Sequence, residues 1–148
     1  MATIFETTNL SSIELANRLV RSATWEGLAD RDGRVTPPLV QVYEDLARGG
    51  IGLTISSYMY VQRIGQQALG QIGVDSDDRV AGLAALAEAT HRHGGKIVAQ
   101  IVHCGGQADR RNNGGLQPVA PSAIECPGYA VPPRELTIDE IQAVITDF

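Results

Sequence analysis

Two cysteines in 148 residues are too few for a disulfide framework. Cys104 and Cys126 stand among glycines and prolines without a C-x-x-C spacing. They read as free thiols in a reducing compartment, which points to the cytoplasm. Cations are also scarce. Twelve Lys and Arg against 17 Asp and Glu leave a net charge of -5, and no basic stripe is present to follow a phosphate backbone, so a nucleic-acid partner is not expected. No window approaches about 18 uninterrupted apolar residues, which argues against a membrane span. The start, Met1-Ala2-Thr3-Ile4-Phe5-Glu6, has neither the basic opening nor the apolar stretch of a signal peptide. No G-x-G-x-x-G and no P-loop occur, so the usual signatures of doubly wound dinucleotide folds and of nucleotide triphosphatases are missing. His103 and Cys104 lack a third or fourth partner at metal-binding spacing, and no metal site is expected.

What is present is an α/β rhythm. Hydrophobic residues make up 43% and charged residues 20%, as in an ordinary globular domain, and no repeat or linker divides residues 1–148. Residues 3–17 read as irregular or hairpin-like, and Arg18 to Ser22 as a first strand. Thr36 followed by Pro37 marks a helix start, with a hydroxyl N-cap and proline in the first turn. Leu39, Val42, Tyr43 and Leu46 form its stripe, and Gly49-Gly50 ends it. Ile51 to Ser56 is apolar enough for a strand buried on both faces. After a loop from Val61 to Gly73, the carboxylates Asp75, Asp77 and Asp78 favour the start of a second helix. Its expected buried face is Val80, Leu83, Ala84 and Ala87. Lys96 to His103 reads as a third strand, followed by a long loop to Leu136. Thr137-x-x-Glu140 is a capping box opening a third helix with Ile138, Ile141, Val144, Ile145 and Phe148 on one side.

Strands starting near residues 18, 51 and 96, each followed by room for one crossover helix, predict parallel pairing with right-handed crossovers. A doubly wound sheet and a TIM (β/α)8 barrel share that rhythm. The missing glycine fingerprint favours the barrel, with the first three β/α units and the start of the next helix in this chain. A whole barrel takes about 250 residues, so the expectation is the amino-terminal portion of a single barrel domain, with the remainder of the same barrel or a second copy covering its open sheet edges.

One run gives the pattern a chemical direction. In Asn17 to Gly27, apolar Leu19-Val20 breaks into small polar Ser22-Ala23-Thr24 and then the lone tryptophan, Trp25. A barrel strand ending in small residues opens its backbone to a flat ligand at its carboxyl end. Gln100, an amide in an otherwise apolar strand, calls for a partner, since an unpaired buried amide costs about 1–3 kcal/mol.

Asn17-Arg18-Leu19-Val20-Arg21-Ser22-Ala23-Thr24 resembles the first strand of the Old Yellow Enzyme family of FMN-dependent oxidoreductases. Asp32-Gly33-Arg34-Val35-Thr36-Pro37, Ala47 to Leu53, Gly94 to His103 and Pro118-Val119-Ala120-Pro121-Ser122 continue the likeness in order across nearly the whole chain. The resemblance implies a tightly held FMN, reduction by NADH or NADPH, and hydride delivery to an activated alkene or another small-molecule acceptor. It implies that Ser22, Ala23, Thr24 and Trp25 wall the flavin ring, that Tyr58, just past the second strand, contacts it through the backbone, and that Gln100 bonds its pyrimidine edge. Gly27 falls where some members place a substrate-contacting aromatic, and His103 matches a histidine that follows the third strand. Trp25 stands where Cys or Thr is common, and His103-Cys104-Gly105-Gly106 replaces His-x-Gly-Arg. The family's substrate-binding pair and phosphate grip are expected beyond Phe148, so no catalytic residue is assigned. A different class of reading is a non-catalytic half-barrel or assembly module that needs a partner half.

Overall fold

In the computed structural model, which describes residues 3–148, the chain opens with the expected hairpin, β1 (Thr8–Leu10) antiparallel to β2 (Ile13–Leu15). Ser11 takes the positive φ, 53°, of a tight hairpin turn. β3 (Val20–Arg21) is shorter than the expected strand. Its start is fixed by Asn17, whose side chain donates to the Gly50 carbonyl (2.7 Å) and accepts from the Leu19 amide (3.0 Å). Gly52 lies so close to Asn17 that a Cβ there would stand 2.6 Å from the Asn17 carbonyl oxygen. One buried carboxamide thereby ties the entry of the first strand to the entry of the next.

Helix α1 (Pro37–Arg48) begins after Thr36 as expected, but the Thr36 hydroxyl does not cap it. It donates to the Leu28 carbonyl at 2.5 Å and ties down the incoming loop. Leu39 and Tyr43 are buried as expected, with Ala47 as the third buried residue in place of Leu46, which is half-buried. β4 (Leu53–Tyr60) starts two residues later and runs four residues further than expected, so Tyr58 lies inside the strand. β5 (Ile72–Gly73), within the expected loop, is a parallel strand paired to Met59 and Tyr60.

Helix α2 (Val80–His91) follows a 3-10 turn at Asp77–Arg79 and buries Leu86, Ala89 and Thr90. The expected face is therefore rotated. Val80 and Ala84 are exposed, while Leu83 and Ala87 are half-buried. An alanine-rich helix gives apolar periodicity little to act on, and packing decides the face. β6 (Ile97–Val102) completes a four-stranded parallel sheet. β4 is central, with β6 on one edge and β3 and β5 at opposite ends of the other. The long loop holds a short parallel pair, β7 (Val119–Ala120) with β8 (Arg134–Glu135). In α3 (Ile138–Asp147) the capping box is formed: the Glu140 amide donates to Thr137 Oγ1 and the Thr137 amide to Glu140 Oε2. Paired Arg134 holds the Glu140 carboxyl down to about 2.

Leu39, Tyr43, Met59, Ile72 and Leu86 form the core between the sheet and the two helices. Tyr43 also does polar work there. Its hydroxyl accepts the Ser57 amide at 2.9 Å, and burial pushes the phenol up to about 12. Tyr43→Phe removes that acceptor and leaves a buried amide unpaired, so the unfolding free energy should fall by about 1–3 kcal/mol in urea titration. No change would mean that the Ser57 amide has another partner.

Candidate functional site

The register of β4 against β6 contains one irregularity. Thr54 and Ile55 pair with Ile97 and Val98, but the next partners are Tyr58 and Gln100. β4 thus carries one extra residue, a bulge at Ser56-Ser57. Ile97 and Ala99 line a small cavity with Leu83, Leu86 and Ala87 of α2. By alternation, Val98 and Gln100 lie on the opposite, helix-free face. Without the bulge Tyr58 would pair with Ile101 on the helix side. With it, Tyr58 stands beside Gln100 on the helix-free face. Gln100 is exposed, which corrects the expectation of a buried amide, and its side chain makes no hydrogen bond among the described residues. Its carboxamide offers a donor and an acceptor to a ligand.

At the end of β3, Ser22, Ala23 and Thr24 continue in irregular, extended chain, and Thr24 Oγ1 donates to the Ser22 carbonyl at 3.1 Å. Arg21 turns to the helix side. It pairs with Glu26 at 2.7 Å and lies 5.9 Å over the Tyr43 ring. This largely buried pair braces the turn that carries Trp25. The indole is half exposed and packs on Gly27, where an added Cβ would stand 3.2 Å from a ring carbon. The space beside Gly27 is therefore filled by Trp25 itself. The other side of Gly27 is closed by Gly70, whose own Cβ would lie 2.3 Å from the Gly27 carbonyl oxygen. Both glycines have positive φ. Gly27 thus serves close backbone packing here, and Trp25 supplies the aromatic surface.

The loops after β4 and β6 are stitched together above these strand ends. The Cys104 amide donates to the Gly65 carbonyl (3.1 Å), the Asp109 amide to the Gln66 carbonyl (3.0 Å), and Asn113 Nδ2 to the Ile64 carbonyl (3.2 Å). His103 packs against Gly65, where a Cβ would be 2.7 Å from the imidazole. Its Nδ1 accepts the Gly105 amide at 3.0 Å, which leaves the proton on Nε2. That buried Nε2 has no partner among the described residues, and burial lowers the imidazole below its ordinary range. Burial likewise raises the Cys104 thiol, against the opposing side chain of Gln71. The Tyr58 phenol is raised by burial and by neighbouring Cys104 and Tyr129. Tyr129 in turn accepts from Gln67 Nε2. Gln71 and Tyr129 were not singled out in the sequence. The three glutamines between residues 66 and 71 were a visible sign of a polar loop, whereas nothing in spacing linked Tyr129 to Tyr58.

The structure brings Tyr58 and Gln100 together and sets Ser22 to Trp25 at the end of the strand on the far edge of β4. His103 lies at the carboxyl end of β6. Among the described residues no cluster of three metal-ligating side chains occurs, and no helix is long and apolar enough to cross a membrane. The sequence model of the NADH:flavin oxidoreductase / NADH oxidase family matches residues 3–148. The chain is 39% identical to an NADH oxidase of Thermoanaerobacter brockii over 98% of its own length and 22% of that protein. It is 40% identical to an NADH:fumarate oxidoreductase of Klebsiella pneumoniae over 91% of its length and 15% of that protein. The solved structure of the old yellow enzyme homologue from Zymomonas mobilis superposes with a TM-score of 0.87 at 29% identity, over 99% of this chain and 43% of that one. The chain thus spans less than half the length of each of these proteins.

His103 gives the site a pH signature. Its folded pKa lies below the ordinary value of about 6.5, so below that pH the unfolded chain takes up a proton that the folded one resists. The contribution of neutral His103 to stability is present above pH ~6.5 and declines as pH falls through it. Urea midpoints at about pH 7.5 and pH 5.5 should show that decline in the wild type and a smaller one in His103→Gln. Equal slopes in the two proteins would assign the dependence to other groups.

Proposed function

Because this chain belongs to the NADH:flavin oxidoreductase / NADH oxidase family, we propose that it builds one wall of an FMN site in an enzyme that takes hydride from NADH or NADPH and passes it to an activated alkene or a similar electron-poor small molecule. The observation that carries the reading is the pairing of Tyr58 with Gln100 on the helix-free face of the sheet, with the Gln100 carboxamide unengaged. Gln100 would hold the pyrimidine edge of the ring by donating and accepting at once. The backbone from Ser22 to Thr24 and at Tyr58 would meet the flat ring, and the indole of Trp25 would shield its margin. The Nε2–H of His103, its ring oriented by the Gly105 amide, is buried without a partner among the described residues and would donate to a bound oxygen only if the closed site gives it access. When bound, FMN supplies two-electron transfer between nicotinamide and acceptor; the protein supplies orientation, hydrogen bonds and exclusion of water.

The same reading accounts for the surfaces left open. Among the described residues β6 pairs only with β4, and on α3 Ile138 is 72% exposed. In the proposed enzyme the remainder of a (β/α)8 barrel, within one polypeptide or from a second copy, covers them. The free thiols of Cys104 and Cys126 suit a cytoplasmic setting. The alternative, a half-barrel that assembles without redox chemistry, rests on the same open surfaces and predicts a colourless protein.

In the full-length protein, visible flavin absorbance should accompany purification. Gln100→Ala should weaken FMN binding about tenfold, as expected for the loss of two neutral hydrogen bonds, or shift the flavin potential. Unchanged affinity, spectrum and turnover would remove Gln100 from the site, and full-length protein that binds no added FMN would overturn the proposed function.

A further inference from the structure

A groove of about 540 Å³ runs beside the strand ends, between the loop at residues 108–115 and the turn at residues 128–131. That volume is in the range of small-molecule sites. Arg110, Arg111 and Tyr129 give it its chemistry. The two arginines are not equivalent. Arg111 is neutralised in place, its Nε and Nη2 spanning both oxygens of Asp109 at 2.6–3.1 Å. Arg110 has no carboxylate partner among the described residues. Its Nε donates to the Gly115 carbonyl at 2.7 Å, which fixes the near end of the guanidinium and leaves both terminal nitrogens unengaged. In a chain of net charge -5, this is an uncompensated cation held in a concave site.

The groove is connected to the flavin-facing strands by structure as well as by proximity. The Tyr129 amide closes a turn onto the Cys126 carbonyl (3.1 Å), and Cys126 Sγ packs on Gly106, where a Cβ would be 2.7 Å away. Gly106 belongs to the 3-10 turn that follows β6. The Tyr129 hydroxyl is bound by Gln67, whose carbonyl accepts from Asn112 at 2.8 Å. Tyr129 therefore stands between the carboxyl ends of the strands and the arginine-bearing loop. Gly115 and Gly128, both at positive φ with open space where a Cβ would lie, keep the rim low.

We propose that this groove is a subsite for the anionic end, carboxylate or phosphate, of the molecule that exchanges hydride at the flavin, with Arg110 as the anion donor and Tyr129 as the wall that directs the ligand toward Tyr58. This inference rests on the proposed function. A planar guanidinium with both terminal nitrogens free matches a carboxylate or phosphate end-on, in bidentate fashion. The anion has two possible sources, the dinucleotide reductant and the acceptor. Binding tests on both separate them.

The experiment uses full-length, FMN-loaded protein and calorimetric titration with tetrahydroNAD, an anionic analogue of the reductant that cannot pass hydride to the flavin, with cinnamate, and with the neutral amide of cinnamate. Arg110→Gln should weaken one of the two anionic ligands about tenfold and leave the neutral amide unchanged. A loss confined to tetrahydroNAD assigns the groove to the reductant, and a loss confined to cinnamate assigns it to the acceptor. Arg110→Lys should recover part of the affinity, because charge remains while the fork is lost. In the wild type, raising NaCl from about 20 to about 200 mM should weaken the same anionic ligand and not the amide, a measurement independent of any variant's folding. Unchanged binding of both anions in Arg110→Gln, equal losses for anion and amide, or a flat salt dependence would overturn the proposal. All titrations are read with the flavin spectrum intact. Failure to hold flavin counts against the proposed function, whereas intact flavin with unaltered anion binding counts against the groove.

Discussion

A parallel strand that gains one residue must find new partners for the amides it displaces, and in β4 those partners are a phenol and a hydroxyl. The Ser57 amide goes to Tyr43 of α1, and the Gln100 amide across the bulge goes to Ser56 Oγ at 3.0 Å. Each bond would be worth only about 1 kcal/mol net, but leaving either amide buried and unpaired would cost more. The bulge is thus stable only with Tyr43 in the core and serine at 56. Its consequence reaches the site directly: it reverses the parity of β4, so that Met59 enters the core while Tyr58 joins Gln100 on the helix-free face.

The loops above that face follow a second rule, close approach of backbone to ring or backbone. Gly65 admits the His103 imidazole, Gly70 admits the Gly27 carbonyl, and Gly27 admits the Trp25 indole. Carboxamides then satisfy the carbonyls that such close packing would strand: Asn112 on Gln67, Asn113 on Ile64 and Leu116, and Gln66 on Ala68. Buried polar atoms such as His103 Nε2, without a partner among the described residues, are left over from this accounting. They are positioned by neighbours whose own bonds are already made, which is how a site holds its geometry before a ligand arrives.

Much of this was legible in the residues, and the exceptions have physical causes. The capping box at Thr137 and Glu140, the hairpin opening, the Leu39–Tyr43 stripe and the alternation of strand and helix all rest on local rules, and local rules can be read from spacing. The bulge could not be read, because Ser56-Ser57 inside an apolar run looks the same whether a strand is regular or not, and so Tyr58 was expected after the strand instead of within it. The face of α2 depended on Gly82 meeting Val35 and on Leu86 and Ala89 entering the core, a tertiary choice. Thr36 sat where an N-cap belongs, yet the nearby Leu28 carbonyl took its hydroxyl. Trp25 and Gly27 were read as separate features, one a wall and one the place of a substrate-contacting aromatic, because two residues of sequence do not reveal that the first packs on the second. Ser22 to Thr24 and Gln100 were picked out by residue type and by the resemblance, Gln100 also on the premise of burial, and the structure replaces that premise with an exposed amide beside Tyr58.

That exposure follows from the place of β6 in the sheet. Its inner edge is fully paired to β4, while Val98 and Ile101, residues of a strand composition suited to burial on both faces, are each about two-fifths exposed. An uncovered parallel edge of this kind favours association with any available strand. In the proposed enzyme, pairing a further strand against β6 would bury Val98 and Ile101 and at the same time confine the Gln100 side chain to the face it shares with Tyr58. Covering Ile138 and Ile145 on α3 would press that helix onto the outside of the same new strand. Completion of the hydrophobic core and immobilisation of the flavin-binding amide would then be one event, so the stability of the closed barrel and the affinity for its cofactor should be coupled through β6.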